Sequence, residues 1–310
     1  MSMMKFSRKI AAVCTGFALS MAAAPAVADD LDVLGQFLEQ NFPTQQDALE
    51  NFANSRLEAQ ALVAGPLLSS QSALILNNKT GEVLYQKNAN SVRPIASISK
   101  LMSAMVVLDA KLDMDEMITI TPAEIDRLKG TGSRLAIGTT MTRGEMLHLS
   151  LMSSENRATH ALGRTYPGGM EAFVAAMNRK AQNLGMFSSR FYEPTGLDFR
   201  NVSTAHDLSR LVAAASKYPL IRSNSTSNYG SVFTPRGRQN YRNSNALVRE
   251  GSWNIELQKT GYIRESGRSM VVKANVQNQP ITIVLLNSPS SATRVNDARR
   301  IETWMVQRPS

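Results

Sequence analysis

Ser97 and Lys100 stand three residues apart in the run Pro94-Ile95-Ala96-Ser97-Ile98-Ser99-Lys100-Leu101-Met102. On a helix, residues three apart share a face, so the lysine amine can reach the serine hydroxyl. A hydroxyl beside an amine is a nucleophile beside a base, the pairing that covalent attack on a carbonyl requires. Apolar residues recur at Ile98, Leu101, Met102, Met105, Val106 and Leu108, the spacing of a helix packed on a core. Pro94 stands where helices begin, which predicts Ser97 near the positive end of a helix dipole. Alone the pair is weak. Ser-x-x-Lys arises about once by chance in a chain of this length, and it occurs again at Ser2 and Lys5.

Two further short patterns strengthen it. Ser154-Glu155-Asn156 is a Ser-x-Asn, and Lys259-Thr260-Gly261 is a Lys-Thr-Gly within a strand-like run ending at Tyr262. Each has a competitor. Ser252-Trp253-Asn254 lies too near Lys259 to form an independent wall of a cleft, and Lys79-Thr80-Gly81 occupies a hairpin tip, where those residues are simply good turn formers.

The elements that must position these residues follow from periodicity. Ala73 to Leu76 and Glu82 to Tyr85 flank a turn-rich connection and predict a hairpin over 72–86. After the Ser97 helix come a short strand over 117–121, a helix over 143–151, and another reaching Leu162. Further helices are predicted over 170–184 and 207–216. The last third changes period, with strands over 257–262, 269–275 and 281–286 and a closing helix over 296–306. The implied fold is α+β: an antiparallel sheet drawn from both chain ends and flanked by helices, with a helical subdomain inserted between its halves.

The N-terminus reads as a cleavable secretory signal over residues 1–28. Lys5, Arg8 and Lys9 precede an apolar run over 10–24, and Ala26-Val27-Ala28 is a small-residue cleavage site. Cleavage after Ala28 removes the Ser2–Lys5 pair and Cys14, the only cysteine, so no disulfide or thiol chemistry is expected. Residues 29–66 read as an acidic helical extension, and 67–310 as the body. Residues 29–65 carry seven acids against one arginine, a net −6, while 66–310 carry 30 Lys+Arg against 18 Asp+Glu, a net +12. A basic exported body without nucleic-acid motifs suits a carboxylate-bearing wall better than nucleic acid. No second long apolar run follows, so no stable membrane anchor is expected.

In the order Ser-x-x-Lys, Ser-x-Asn, Lys-Thr-Gly, the three patterns are those of the penicillin-recognising serine enzymes. Over roughly residues 70–305 the chain resembles the low-molecular-mass penicillin-binding proteins, the serine-type D-Ala-D-Ala peptidases, with their endopeptidases the nearest in text. The matching text is Arg93 to Met102, Leu151 to Ala158, Glu193 to Leu197 and Gln258 to Tyr262. The resemblance implies the penicillin-binding/β-lactamase-like fold, peptidoglycan peptides as substrate, β-lactams as covalent inhibitors, a periplasmic location, and no metal or other cofactor. It further implies that Ser97 attacks a D-alanyl carbonyl and Lys100 takes its proton. Ser154 would pass that proton to the leaving amine, and Asn156 would hold substrate or Lys100. The amides of Ser97 and Tyr262 would form the oxyanion hole; Lys259 and Thr260 would bind a carboxylate, with Gly261 letting a substrate strand approach.

A free lysine is only ~0.1% neutral at neutral pH, a handicap of about 4 kcal/mol. The site is therefore expected to depress Lys100 by burial and by a second cation, Lys259. His148, His160 and His206 lack metal-ligand spacing. Glu193 is read as part of a structural turn rather than as a deacylating base, and Glu155 as solvent-facing. The main reading is a D,D-endopeptidase cutting cross-links. A D-Ala-D-Ala carboxypeptidase is the nearest alternative, a β-lactamase a further one, and a non-catalytic wall binder a different class.

Overall fold

The two halves of the predicted sheet meet as expected. The computed structural model describes residues 65–307; the predicted signal and the acidic helices fall outside the described residues. Strands β1 (Ser72–Asn77) and β2 (Val83–Lys87) form the early hairpin. Short strands β3 (Arg93–Pro94), β4 (Met117–Thr119), β5 (Thr140–Thr142) and β6 (Val202–Ser203) make two small ladders, β3 with β6 and β4 with β5. Strands β7 (Tyr229–Thr234) and β8 (Gly237–Arg242) form a separate hairpin. Strands β9 (Asn254–Ile263), β10 (Gly267–Val276) and β11 (Gln279–Ser288) complete the main sheet. Its order is β2-β1-β11-β10-β9, antiparallel throughout, which leaves β9 as an edge.

Helices α1 (Ser99–Asp109), α2 (Arg143–Met152), α3 (Asn156–Arg164), α4 (Gly169–Asn183), α5 (Ala205–Ala215) and α6 (Pro219–Thr226) lie between β2 and β9 in sequence. Helix α7 (Ala246–Glu250) precedes β9, and α8 (Ser291–Gln307) closes the described chain. Both faces of the sheet are covered, which is why its strands read as nearly continuous apolar runs. Leu74, Val271, Val284 and Leu286 face a core shared with α1 to α5. Ala73, Ile75, Val272 and Leu285 face a second core against Val295, Ala298, Ile301 and Trp304 of α8.

This layering aims the sites. Lys259 pairs directly with Val271, and directly opposed residues share a sheet face. Lys259 therefore points into the helical side, where α1 is buried at every position from Ser99 to Val107.

The sequence expectation needs correction at the start of α1. Pro94 does not open the helix but pairs in a ladder with Val202, and Ser97 lies in a 3-10 turn, Ala96–Ile98. Ala96 has a φ of 49°, in the left-handed region, so a right-handed helix cannot run through it. The α-helix starts only at Ser99.

Candidate active site

Ser97 is partly exposed between the buried residues Ala96 and Ile98, so its hydroxyl is presented from a turn that is otherwise fully packed. Lys100, one turn on, is completely enclosed. Its Nζ donates to Ser97 Oγ at 2.8 Å, to Asn156 Oδ1 at 2.8 Å, and to the Thr195 carbonyl at 2.7 Å. Three acceptors match the three N–H bonds of an ammonium. A neutral amine has two N–H bonds and a lone pair, so one partner must become the donor. Among the three, only the Ser97 hydroxyl can do so. The geometry thus points the lone pair of neutral Lys100 at the proton of Ser97.

Burial pushes the Lys100 ammonium down to about 7, while Glu193 and Glu155 pull it back up. Lys259 is also buried and lies well below the ordinary lysine range, through burial first and then the positive charges of Lys100 and Arg294. Burial, the first of the two expected causes, is the larger one. It leads for both amines, and the repulsion between Lys100 and Lys259 is mutual, so the second cation acts on the pair as a coupled unit.

Ser154 occupies the bend between α2 and α3 with φ 64°, another β-carbon-bearing residue in the left-handed region. Such conformations cost about 1–3 kcal/mol and are held by their surroundings. Asn156 begins α3, with Oδ1 on Lys100 and Nδ2 donating to Thr131 Oγ1 at 3.4 Å. Glu155 departs from expectation: it is half-buried and caps α3, accepting from the Arg157 amide at 3.2 Å and from Ser133 Oγ at 2.7 Å. It fixes the bend that carries Ser154 instead of facing solvent.

On the opposite wall, Lys259 Nζ donates to the Thr260 carbonyl at 3.1 Å, and Thr260 Oγ1 to Ser244 Oγ at 2.7 Å. Gly261 has a packing role that the sequence did not suggest. A Cβ there would lie 2.8 Å from the Ile95 carbonyl oxygen and 3.3 Å from the Ser97 amide nitrogen. The close approach is made by the chain's own Ser97 turn, which brings the Tyr262 end of β9 alongside the Ser97 amide. Tyr262 itself is half-exposed, with the Arg268 guanidinium 3.4 Å from its ring centroid.

Sequence reasoning singled out the Glu193–Leu197 loop as a turn but missed that it holds the base. The Thr195 carbonyl holds Lys100, and a backbone acceptor leaves no mark in a residue pattern. Glu193 folds back on this loop: its carboxylate accepts from the Thr195 amide (2.6 Å), Thr195 Oγ1 (2.5 Å) and the Gly196 amide (2.5 Å). That supports the turn reading of Glu193. Buried Asn201 ties the loop to α1, donating to Ser99 Oγ at 3.1 Å and to the Glu193 carbonyl at 2.8 Å. Gly196 has φ +83°, and a Cβ there would stand 1.9 Å from the Ala96 carbonyl oxygen. Arg294 was also missed; it is buried and donates to the Ser269 carbonyl at 2.9 Å.

The histidines go elsewhere: His160 Nδ1 lies 3.3 Å from Glu124 Oε1, and His206 Nε2 lies 3.1 Å from Gln86 Oε1. Among the described residues, no group of three or more His, Cys, Asp or Glu is placed to hold a metal, and no helix is long and apolar enough to cross a membrane.

Comparison with known proteins identifies the family and the fold. The chain is 45% identical over 240 residues to a D-alanyl-D-alanine endopeptidase of Pseudomonas aeruginosa, covering 77% of each chain. It is 42% identical over 255 residues to a D-alanyl-D-alanine endopeptidase of Escherichia coli, covering 82% of each. Among solved structures it resembles the Streptomyces K15 DD-transpeptidase (TM-score 0.72, 27% identity, 78% of this chain and 98% of that one). It also resembles penicillin-binding protein D2 of Listeria monocytogenes in its ampicillin-bound form (TM-score 0.66, 27% identity, 77% and 98%). These likenesses bear out the penicillin-binding fold expected from the sequence. With its family model matched over residues 59–290, the chain belongs to the serine peptidase family S11, the D-alanyl-D-alanine carboxypeptidase family.

Proposed function

We propose that the chain is a D,D-endopeptidase that hydrolyses D-alanyl cross-links of peptidoglycan through an acyl-enzyme on Ser97. The observation that carries the reading is the enclosed Lys100 amine, shared among Ser97 Oγ, Asn156 Oδ1 and the Thr195 carbonyl. Neutral Lys100 takes the Ser97 proton as Oγ bonds to the D-alanyl carbonyl carbon. The amides of Ser97 and Tyr262 receive the developing oxyanion; one such donor contributes about 10²–10³ in rate. The C–N bond then breaks, and the Lys100 proton passes through Ser154 to the leaving nitrogen. Water attacks the resulting ester and gives one proton back to Ser97 Oγ by way of Lys100; the carboxylic acid released loses its other proton to solvent. Lys259 and Thr260 bind a substrate carboxylate along the β9 edge. β-Lactams acylate the same serine.

The endopeptidase preference rests on the names of the relatives at 45% and 42% identity. A carboxypeptidase remains the second reading, favoured by the more distant D-alanyl-D-alanine carboxypeptidases such as that of Streptomyces K15, 28% identical. The signal over 1–28 supports export, with the mature enzyme working in the periplasm.

The test is digestion of purified cross-linked muropeptide dimers and of monomeric pentapeptide by the mature chain, with Ser97→Ala as control. Cleavage of dimers, lost in Ser97→Ala, is the expected outcome. Intact dimers beside rapid trimming of pentapeptide to tetrapeptide would replace the endopeptidase by the carboxypeptidase. Labelled penicillin that remains on Ser97→Ala would overturn the nucleophile.

A further inference from the structure

We propose that the β7–β8 hairpin is a second anchoring surface, which grips the anionic peptidoglycan strand outside the catalytic cleft. The inference rests on the endopeptidase reading for its ligand and on separate residues for its evidence. Residues 208–249 carry seven Lys and Arg and not one Asp or Glu. Within that stretch the hairpin concentrates Arg236, Arg238 and Arg242, all exposed. Among the described residues no carboxylate pairs with any of the three. Arg238 Nη2 donates only to Ser231 Oγ, at 3.0 Å, and Arg242 lies 5.8 Å from the Tyr229 ring centroid.

The aromatic pattern has the same direction. Val232 and Tyr241 are buried and root the hairpin, whereas Phe233 is 76% and Tyr229 62% exposed. An aromatic ring of that exposure contributes little to the fold, but offers a flat face to a sugar ring. Guanidinium groups match carboxylates in a paired geometry. Free carboxylates on stem peptides alternating with sugar faces are the chemistry of a wall strand.

The hairpin is continuous with the cleft. Its base is closed by the Asn243 amide on the Asn228 carbonyl at 2.9 Å. The next residue, Ser244, donates its amide to the Met152 carbonyl at 2.9 Å and accepts Thr260 Oγ1 at 2.7 Å. The stem therefore rises between the Ser154 bend and the Lys259–Gly261 strand. A polymer held in the cleft extends past it; a short soluble peptide does not.

The test compares the mature wild type with Arg236→Gln, Arg238→Gln and Arg242→Gln combined, and separately with Phe233→Ser. Pelleting with purified, protein-stripped sacculi at low salt should be weakened about tenfold by the triple change, the difference shrinking as salt screens it. Release of peptides from sacculi should fall in parallel. Acylation by labelled penicillin and cleavage of soluble muropeptide dimers should stay within about two-fold of wild type, which also certifies the fold. Equal pelleting and equal sacculus digestion by all three proteins would overturn the proposal. So would loss of binding to anionic phospholipid vesicles with sacculus binding intact, which assigns the hairpin to a membrane surface. Failure of the wild type to be acylated would sink the catalytic reading instead, and hairpin-dependent pelleting would still decide this one.

Discussion

Lys100 Nζ stands 2.8 Å from Ser97 Oγ with the lysine wholly enclosed and the serine still reachable from solvent. That asymmetry converts an ordinary pair into a reactive one. The amine loses hydration, which favours its neutral form, while the hydroxyl keeps access to a carbonyl. Asn156 and the Thr195 carbonyl fix the remaining N–H directions, so the lone pair has one place to point.

The first prediction concerns pH. Lys100 titrates near 7, and the base is the neutral form, which predominates above that value. The acylation rate by labelled penicillin should therefore rise with pH through about 7 and then level off. Lys100→Arg keeps the charge but cannot supply a neutral base, and should lose about 10²–10⁴ in acylation rate. A flat profile from pH 5 to 9, or near-normal acylation by Lys100→Arg, would place the base elsewhere.

The second concerns the two glycines packed on the Ser97 turn. At Gly196 a Cβ would overlap the Ala96 carbonyl at 1.9 Å, in a backbone conformation of φ +83°. No rotamer change relieves a clash with backbone, so Gly196→Ala should cost about 3 kcal/mol or more. Gly261→Ala meets the Ile95 carbonyl at a milder 2.8 Å. It should lower Tm modestly and slow acylation at least about tenfold by shifting the turn. Thermal melts paired with penicillin acylation separate the two effects; wild-type values for Gly196→Ala would refute the packing.

How much of this was legible beforehand divides along physical lines. The early hairpin, the three long strands and the largely apolar, buried α1 follow from periodicity, because burial writes itself into residue type. The β7–β8 hairpin escaped notice: its aromatic Tyr229 and Phe233 are exposed among polar and arginine positions, and only Val232 and Tyr241 turn inward, so no alternation marks a buried face. Helix α6 escaped because eight residues show too few turns of pattern. Within the site the side chains that act on substrate stood in recognisable spacing. The groups that hold them, the Thr195 carbonyl, Asn201 and Ser244, come from distant segments or from backbone, and no local pattern announces either.

A third prediction separates two roles for Glu193. Its carboxylate accepts from the Thr195 and Gly196 amides and from Thr195 Oγ1, so it shapes the loop whose carbonyl holds Lys100. Glu193→Gln turns an NH₂ donor toward donors and should destabilise the fold by about 2 kcal/mol. Acylation should slow, while the lifetime of the penicilloyl adduct, measured by label release, should stay near that of wild type. Normal acylation followed by a greatly prolonged adduct would make Glu193 the deacylating base.

The last prediction is proton uptake on ligand binding. Lys259 lies well below the ordinary lysine range, from burial and from the charges of Lys100 and Arg294. The empty site therefore holds the Lys259 proton less tightly than solvent holds that of a free lysine, which leaves room for proton uptake. A carboxylate arriving beside it favours the ammonium and raises that pKa. The proton must come from solvent, so binding should consume protons. Once charged, Lys259 repels the Lys100 proton, and the pair titrates as a coupled unit. The ligand's carboxylate would then help to keep the base neutral at the moment it is needed. Ser97→Ala isolates binding from acylation. With that variant, the calorimetric enthalpy of binding a penicillin at pH 7 should vary with the ionisation enthalpy of the buffer, with the sign of uptake. Replacing Lys259 by methionine should weaken binding and abolish the dependence. An enthalpy independent of buffer in Ser97→Ala would show Lys259 already charged in the empty site, and burial alone would then have to sustain the neutral state of Lys100.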